Sequence, residues 1–158
     1  MEMIHDFLLP CLWAFLICVG SSILFEVHGI GLVFTSLGGS LGWLTYLLLC
    51  EAFGNSAIAT FGAGVLVAAY SEIMARVRKC PATSYLLIAI FPLVPGLGLY
   101  HTMEYYINGD SVNFAVRGRE TLGMAGGLAL GVFLVLSLIR MLSGQRKKHK
   151  TIDFEEGV

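Results

Sequence analysis

Tyr100, His101 and Glu104 are the side chains of this chain best placed to move a proton. His101 and Glu104 stand at i and i+3, and Tyr100 lies four residues before Glu104, so one helix would put a hydroxyl, an imidazole and a carboxylate on neighbouring faces. Such a group can pass protons or hold a polar solute. With Tyr105 and Tyr106, the same tyrosine also fits an aromatic belt where lipid meets water. Glu72 is followed at i+4 by Arg76, the favourable order for a helical ion pair. It reads either as half of that local pair or as a proton-linked or gating carboxylate. Glu26, His28 and Glu51 fall at the ends of apolar runs, where water reaches them.

Other chemistry is missing from the pattern. The cysteines at 11, 18, 50 and 80 form no Cys-x-x-Cys pair, and no histidines stand at ligand spacing, so no metal site or cofactor is expected. Cys11 and Cys18 are seven apart and share a helix face, where they read as small apolar fillers. There is no Gly-x-Ser-x-Gly, no His-Glu-x-x-His and no phosphate-cradling loop, so an enzyme is not expected. Without a nucleotide-binding motif, active transport would have to draw on an ion gradient or a partner. A net charge of −1 gives no reason to expect nucleic acid.

These residues must be positioned by membrane-spanning helices. The chain is 56% hydrophobic and 13% charged, about half the charged share of an average soluble chain, with a mean hydropathy of +0.78. Its charges cluster in short gaps between long apolar runs. Five spans are expected, at about 7–25, 31–50, 56–75, 84–107 and 121–142, each close to the roughly 20 residues that cross about 30 Å of hydrocarbon. The expected fold class is therefore an all-α integral membrane bundle, one transmembrane domain over 1–142 with a tail at 143–158. The gap from 108 to 120 is the longest, and its second half could be a helical turn or two leading into the fifth span. The tail, basic and then acidic, reads as disordered. The start, Met-Glu-Met-Ile-His-Asp, has two acids and no Lys or Arg, the wrong sign for a cleavable signal, so the first run is kept as a span.

Basic residues set the orientation. With five spans, Arg76, Arg78, Lys79, Arg140, Arg146, Lys147, Lys148 and Lys150 share one side, while Arg117 and Arg119 lie on the other. The positive-inside rule then puts the C-terminus in the cytoplasm and the N-terminus outside. Small residues cluster in three spans: Gly38, Gly39, Ser40 and Gly42 in the second, Gly62 and Gly64 in the third, and Gly123, Gly127 and Gly131 at four-residue spacing in the fifth. They allow close helix packing, within the chain or against a partner, including a second copy.

The fourth span is interrupted. Pro92 and Pro95 lack an N–H and clash with the preceding turn, while Gly96 and Gly98 tolerate backbone angles that other residues avoid. Unsatisfied backbone in hydrocarbon is costly, so a break persists where protein or a water-filled cavity covers it, and broken helices at mid-membrane mark transporter binding sites. A kink used only for packing is the alternative.

Three stretches carry a family likeness: Tyr70-Ser71-Glu72-Ile73-Met74-Ala75-Arg76, then Cys80-Pro81-Ala82-Thr83, then the run from Phe91 to Met103 with its Pro-x-x-Pro-Gly-x-x-x-Tyr pattern. In these the chain resembles the threonine/serine exporter family, and most of all the small, YjjB-type subunit of its split form, the C-terminal half of the fused one. The resemblance implies a five-span subunit of a two-component secondary transporter in a bacterial inner or cytoplasmic membrane. It implies export of small polar solutes, threonine and serine in one branch and dicarboxylates such as succinate in another, together with a larger YjjP-type membrane subunit. The motif positions carried over are Pro92, Pro95, Gly96 and Tyr100, with Gly98 beside them on the transport path; Glu72 falls at a Ser-Glu of relatives. Glu72, His101 and Glu104 are the candidates for proton coupling. A non-transporting scaffold for the larger subunit and a homo-oligomeric channel are the rival readings.

Overall fold

A computed structural model describes residues 2–27, 29–78 and 81–155, with side chains described from 7 to 141 within those ranges. His28, Lys79 and Cys80 lie outside the described residues. Six α-helices follow one another: α1 (Glu2–Leu24), α2 (Ile30–Phe53), α3 (Ser56–Arg78), α4 (Ala82–Ile90), α5 (Gly96–Ile107) and α6 (Ser111–Glu155). A 3-10 turn, Phe91–Leu93, ends α4. Among the described residues there is no strand. Four helices are long and apolar enough to cross a membrane: Phe7–Leu24, Ile30–Phe53, Ser56–Arg78 and Ser111–Met141. A fifth crossing results if Ala82–Leu93 and Gly96–Ile107, which meet at 48°, count as one.

Local chemistry sets the α2–α3 turn. Gly54 adopts the left-handed conformation (φ 62°) that suits glycine, and its N–H closes α2 on the Cys50 carbonyl. Asn55 then caps α3 through Oδ1, accepting from Ala57 N–H at 2.9 Å.

The bare face of α2 organises the bundle. Its buried positions are Gly31, Thr35, Ser36, Gly38, Gly39 and Gly42. A Cβ on Gly38 would lie 2.6 Å from the Tyr70 ring of α3, one on Gly39 would collide with Cys18 Sγ of α1, and one on Gly42 would collide with Val67 of α3. From the other side, Ala89 of α4 approaches Gly38 and Gly39, and Leu93 approaches Gly42. Polar rungs tie the same helices together. Ser22 and Thr35 hydroxyls meet at 2.9 Å, both fully buried, and Tyr70 OH donates to the Phe34 carbonyl at 2.9 Å. Interhelical bonds of this kind average about 0.6 kcal/mol. Ala63, Val67, Ala89, Leu93 and Leu128 form the buried core, with Trp43, Tyr46, Leu86 and Ile90 packed on it.

Gly123, Gly127 and Gly131 face α3. Gly127 takes the Ala57 carbonyl and Gly131 the Phe61 carbonyl where side chains would stand, while Gly123 lies against the Ala57 methyl. Because α6 residues rise with α3 residues along this contact, the two helices are parallel, and Arg76, Arg78 and Arg140 arrive at one end of the bundle. α5 packs chiefly on α6, with Gly98 against Thr121 and Thr102 against Gly118.

Two expectations need correction. The span expected at about 121–142 lies within a longer helix that starts at Ser111, earlier than the turn or two foreseen before it, because Asp110 caps it: Asn113 N–H donates to Asp110 Oδ1 at 3.1 Å and Asn113 Nδ2 to Oδ2 at 2.6 Å. The Asn113 side-chain amide accordingly holds the Asp110 carboxyl below its ordinary pKa. The segment read as a disordered tail continues α6 to Glu155; no proline interrupts it, and its Gln, Arg and Lys residues favour helix.

A Gly39→Ala chain should lose roughly 1–3 kcal/mol, since the added methyl must displace Cys18 Sγ. Gly20→Ala, with open space around it, should be neutral or gain up to about 1 kcal/mol from helix propensity. Thermal midpoints of the two variants in one detergent check the contrast.

Candidate functional site

The site begins with one missing N–H. In a continuous helix the residue at 92 would donate to the Ile88 carbonyl, and Pro92 cannot. The Phe91 N–H bonds that carbonyl from inside the chain, in the tighter 3-10 manner. Cys18 Sγ, reaching across from α1, donates to it as well at 3.4 Å. Cys18 is thus more than an apolar filler: it is a hydrogen-bond donor at a helix break. Ser22, one turn on in α1, donates to the Cys18 carbonyl at 2.7 Å.

Beyond the 3-10 turn the chain turns outward. Val94 is extended (ψ 126°), the Gly96 N–H bonds the Val94 carbonyl at 2.7 Å, and Leu99 N–H bonds the Pro95 carbonyl at 3.1 Å. No side chain caps α5 at Pro95. Leu93 is 2% exposed, whereas Leu97 is 72% exposed. Pro92, Pro95 and Gly98 are half-buried, while Gly96 and Tyr100 are exposed. The break therefore has a covered flank against α1, α2 and α3 and an open flank on the outside of the chain. Leu93 meets Gly42, near the middle of α2, which sets the break at half the height of the bundle.

Two polar atoms near this region are buried without a hydrogen-bond partner: Trp43 Nε1, in the aromatic group packed on the core, and Ser71 Oγ on α3. Both were overlooked as polar candidates, because a tryptophan and a serine in an apolar run carry no spacing signal. Cys18 was legible in principle, since Cys18 and Ser22 are four apart and form a small polar face on α1.

The ionisable candidates divide between two places. Arg76 Nε lies 3.8 Å from Glu72 Oε2, with the Glu72 side chain 20% exposed, near the C-terminal end of α3. His101 Nδ1 and Glu104 Oε2 meet at 3.1 Å on α5, both about half exposed, and the Tyr100 ring stands edge-on to His101 at 5.5 Å. Thr102 of α5 packs on Gly118, upstream of the α6 glycines that meet the start of α3. Glu72 lies fifteen residues beyond Ala57 on α3, so it is on the order of 20 Å away along the bundle. The structure pairs His101 with Glu104 and keeps Glu72 apart from them. Among the described residues, no three His, Cys, Asp or Glu side chains are grouped to hold a metal ion.

Comparison with known proteins places the chain. The family model described as Threonine/Serine exporter, ThrE matches residues 10–138, and the chain belongs to that family. Neither curated proteins nor solved structures give a match. The family and the four or more apolar helices together make this a multi-pass membrane protein of exporter type.

Because the His101–Glu104 pair is exposed, it should contribute at most about 1 kcal/mol to stability. Glu104→Gln should therefore leave the thermal midpoint nearly unchanged, so that any loss of activity in that variant reports function and not unfolding.

Proposed function

We propose that this member of the threonine/serine exporter family is the small, YjjB-type subunit of a two-component secondary transporter. It works with a larger YjjP-type membrane chain and exports small polar metabolites, threonine and serine or dicarboxylates such as succinate, across a bacterial cytoplasmic membrane. The N-terminus lies outside and the C-terminus in the cytoplasm. The gathering of Arg76, Arg78 and Arg140 at one end of the bundle supports that orientation.

One observation carries the reading: the backbone break at half-height is covered on one flank only. Peptide groups without partners at that depth cannot face hydrocarbon. A second chain over the Val94–Leu97 flank would cover them, and the gap between the two would be a polar path. Freed carbonyls on the α4 side and N–H groups at the start of α5 suit the amine and carboxylate of an amino acid. Pro92, Pro95, Gly96, Gly98 and Tyr100 shape that path. Glu72 at one end, and His101 with Glu104 at the other, are the groups through which a proton gradient would act.

Efflux of labelled serine and of labelled succinate is to be measured from cells carrying this chain and its companion. Pro95→Ala combined with Gly96→Leu should lower efflux at least about tenfold, a change of about 1.4 kcal/mol in the barrier. Efflux that survives this double change at full rate would reduce the break to a packing kink. Glu72→Gln should blunt the dependence of efflux on external pH while sparing assembly; an unaltered pH profile removes Glu72 from coupling.

A further inference from the structure

We infer that Cys18 is the positioning residue that fixes the broken crossing in register, acting as the substitute donor for the N–H that Pro92 lacks. This rests on the reading of the break as the transport path, but its geometry stands independently. Cys18 and Ile88 are both fully buried, so the Ile88 carbonyl has no water to turn to. The Phe91 N–H satisfies it from one side and the Cys18 thiol from the other. The position of the sulfur is set by an absence, since a side chain on Gly39 would occupy the space that Sγ fills. A Cβ on Gly39 would also lie 3.5 Å from the Ala89 carbonyl, so α1, α2 and α4 converge there with the sulfur among them. Ser22 steadies the arrangement by bonding the Cys18 carbonyl and the Thr35 hydroxyl.

The choice of sulfur has a physical consequence. A thiol is a weak donor, and its bond to a carbonyl is long. It holds the end of α4 in place, yet parts more readily than a hydroxyl bond would. Serine at 18 keeps a donor, and a stronger one; alanine, of nearly the same volume as serine, removes it, so the two variants differ chiefly in the hydrogen bond.

The test uses the complex of the full chain with its companion in lipid nanodiscs, with Cys11→Ala, Cys50→Ala and Cys80→Ala as background. Nitroxide labels go on Leu87→Cys in α4 and Tyr106→Cys in α5, both exposed, so their separation reports the angle across the break. With Cys18 present, and with Cys18→Ser, the distance distribution should be single and narrow; with Cys18→Ala it should broaden or shift by several ångströms. In parallel, Cys18→Ala should lower the maximal efflux rate at least about threefold at an unchanged half-saturating concentration, and Cys18→Ser should restore it. A Cys18→Ala distribution that matches the parent overturns the inference, whatever efflux does. If Cys18→Ala yields no folded complex while Cys18→Ser does, the donor is required and the inference holds. If both fail alike, the site demands the volume of sulfur and the inference falls. A Cys18→Ala distribution that shifts, in a complex whose parent moves neither serine nor succinate, would leave Cys18 in this role and sink the exporter reading.

Discussion

A helix face stripped of side chains governs this fold. Gly38, Gly39 and Gly42 let α1, α3 and α4 approach α2 closely enough that ring, sulfur and methyl groups of the neighbours fill the places where its own Cβ atoms would stand. In a bilayer there is no gain from burying oil against oil, so close packing and short polar rungs must supply the association. The rungs present here, Ser22 to Thr35 and Tyr70 to the Phe34 carbonyl, occur where the glycines have already brought backbones near. Widening any of these approaches by one methyl would stretch the rung beside it.

The same face makes the break between α4 and α5 tolerable. A proline inside a helix costs about 3 kcal/mol or more, and part of that cost is the orphaned carbonyl one turn back. Here the carbonyl is Ile88 O: the Phe91 N–H takes it in the 3-10 manner, and α2 is thin enough at Gly39 for a side chain of α1 to reach it as a second donor. The 3-10 turn then buries Leu93 against Gly42, which anchors the inner flank before the chain leaves the core. The outer flank receives no such support from this chain.

Much of this was legible in the residues, and the failures have physical reasons. Apolar runs near twenty residues announce crossings, and two prolines with two glycines announce an interruption, because both signals are local. The start of α6 is only partly legible, since a cap made by Asp110 and Asn113 carries no hydropathy signature. Its continuation past Leu142 was missed because basic and acidic residues outside a bilayer are read as a tail, although they favour helix as well as coil. The separation of Glu72, near the end of the third span, from His101 and Glu104, beyond the break of the fourth, follows from the order of the spans. Cys18 reads as filler in the sequence because its partner lies seventy residues away.

The two sides of the break pack on different helices. α4 is bolted to α1, α2 and α3, whereas α5 leans chiefly on α6 through Gly98, Thr102, Gly118 and Thr121. α6 in turn rests on α3 along Gly127 and Gly131, with Leu128 seated on Gly64 and in the core beside Ala63 and Val67. Any tilt of that long rod relative to the rest concentrates torque on five residues, 91–95, where the helical ladder is already interrupted. A bend at that stretch would make it an elastic joint, with the rod as its lever arm.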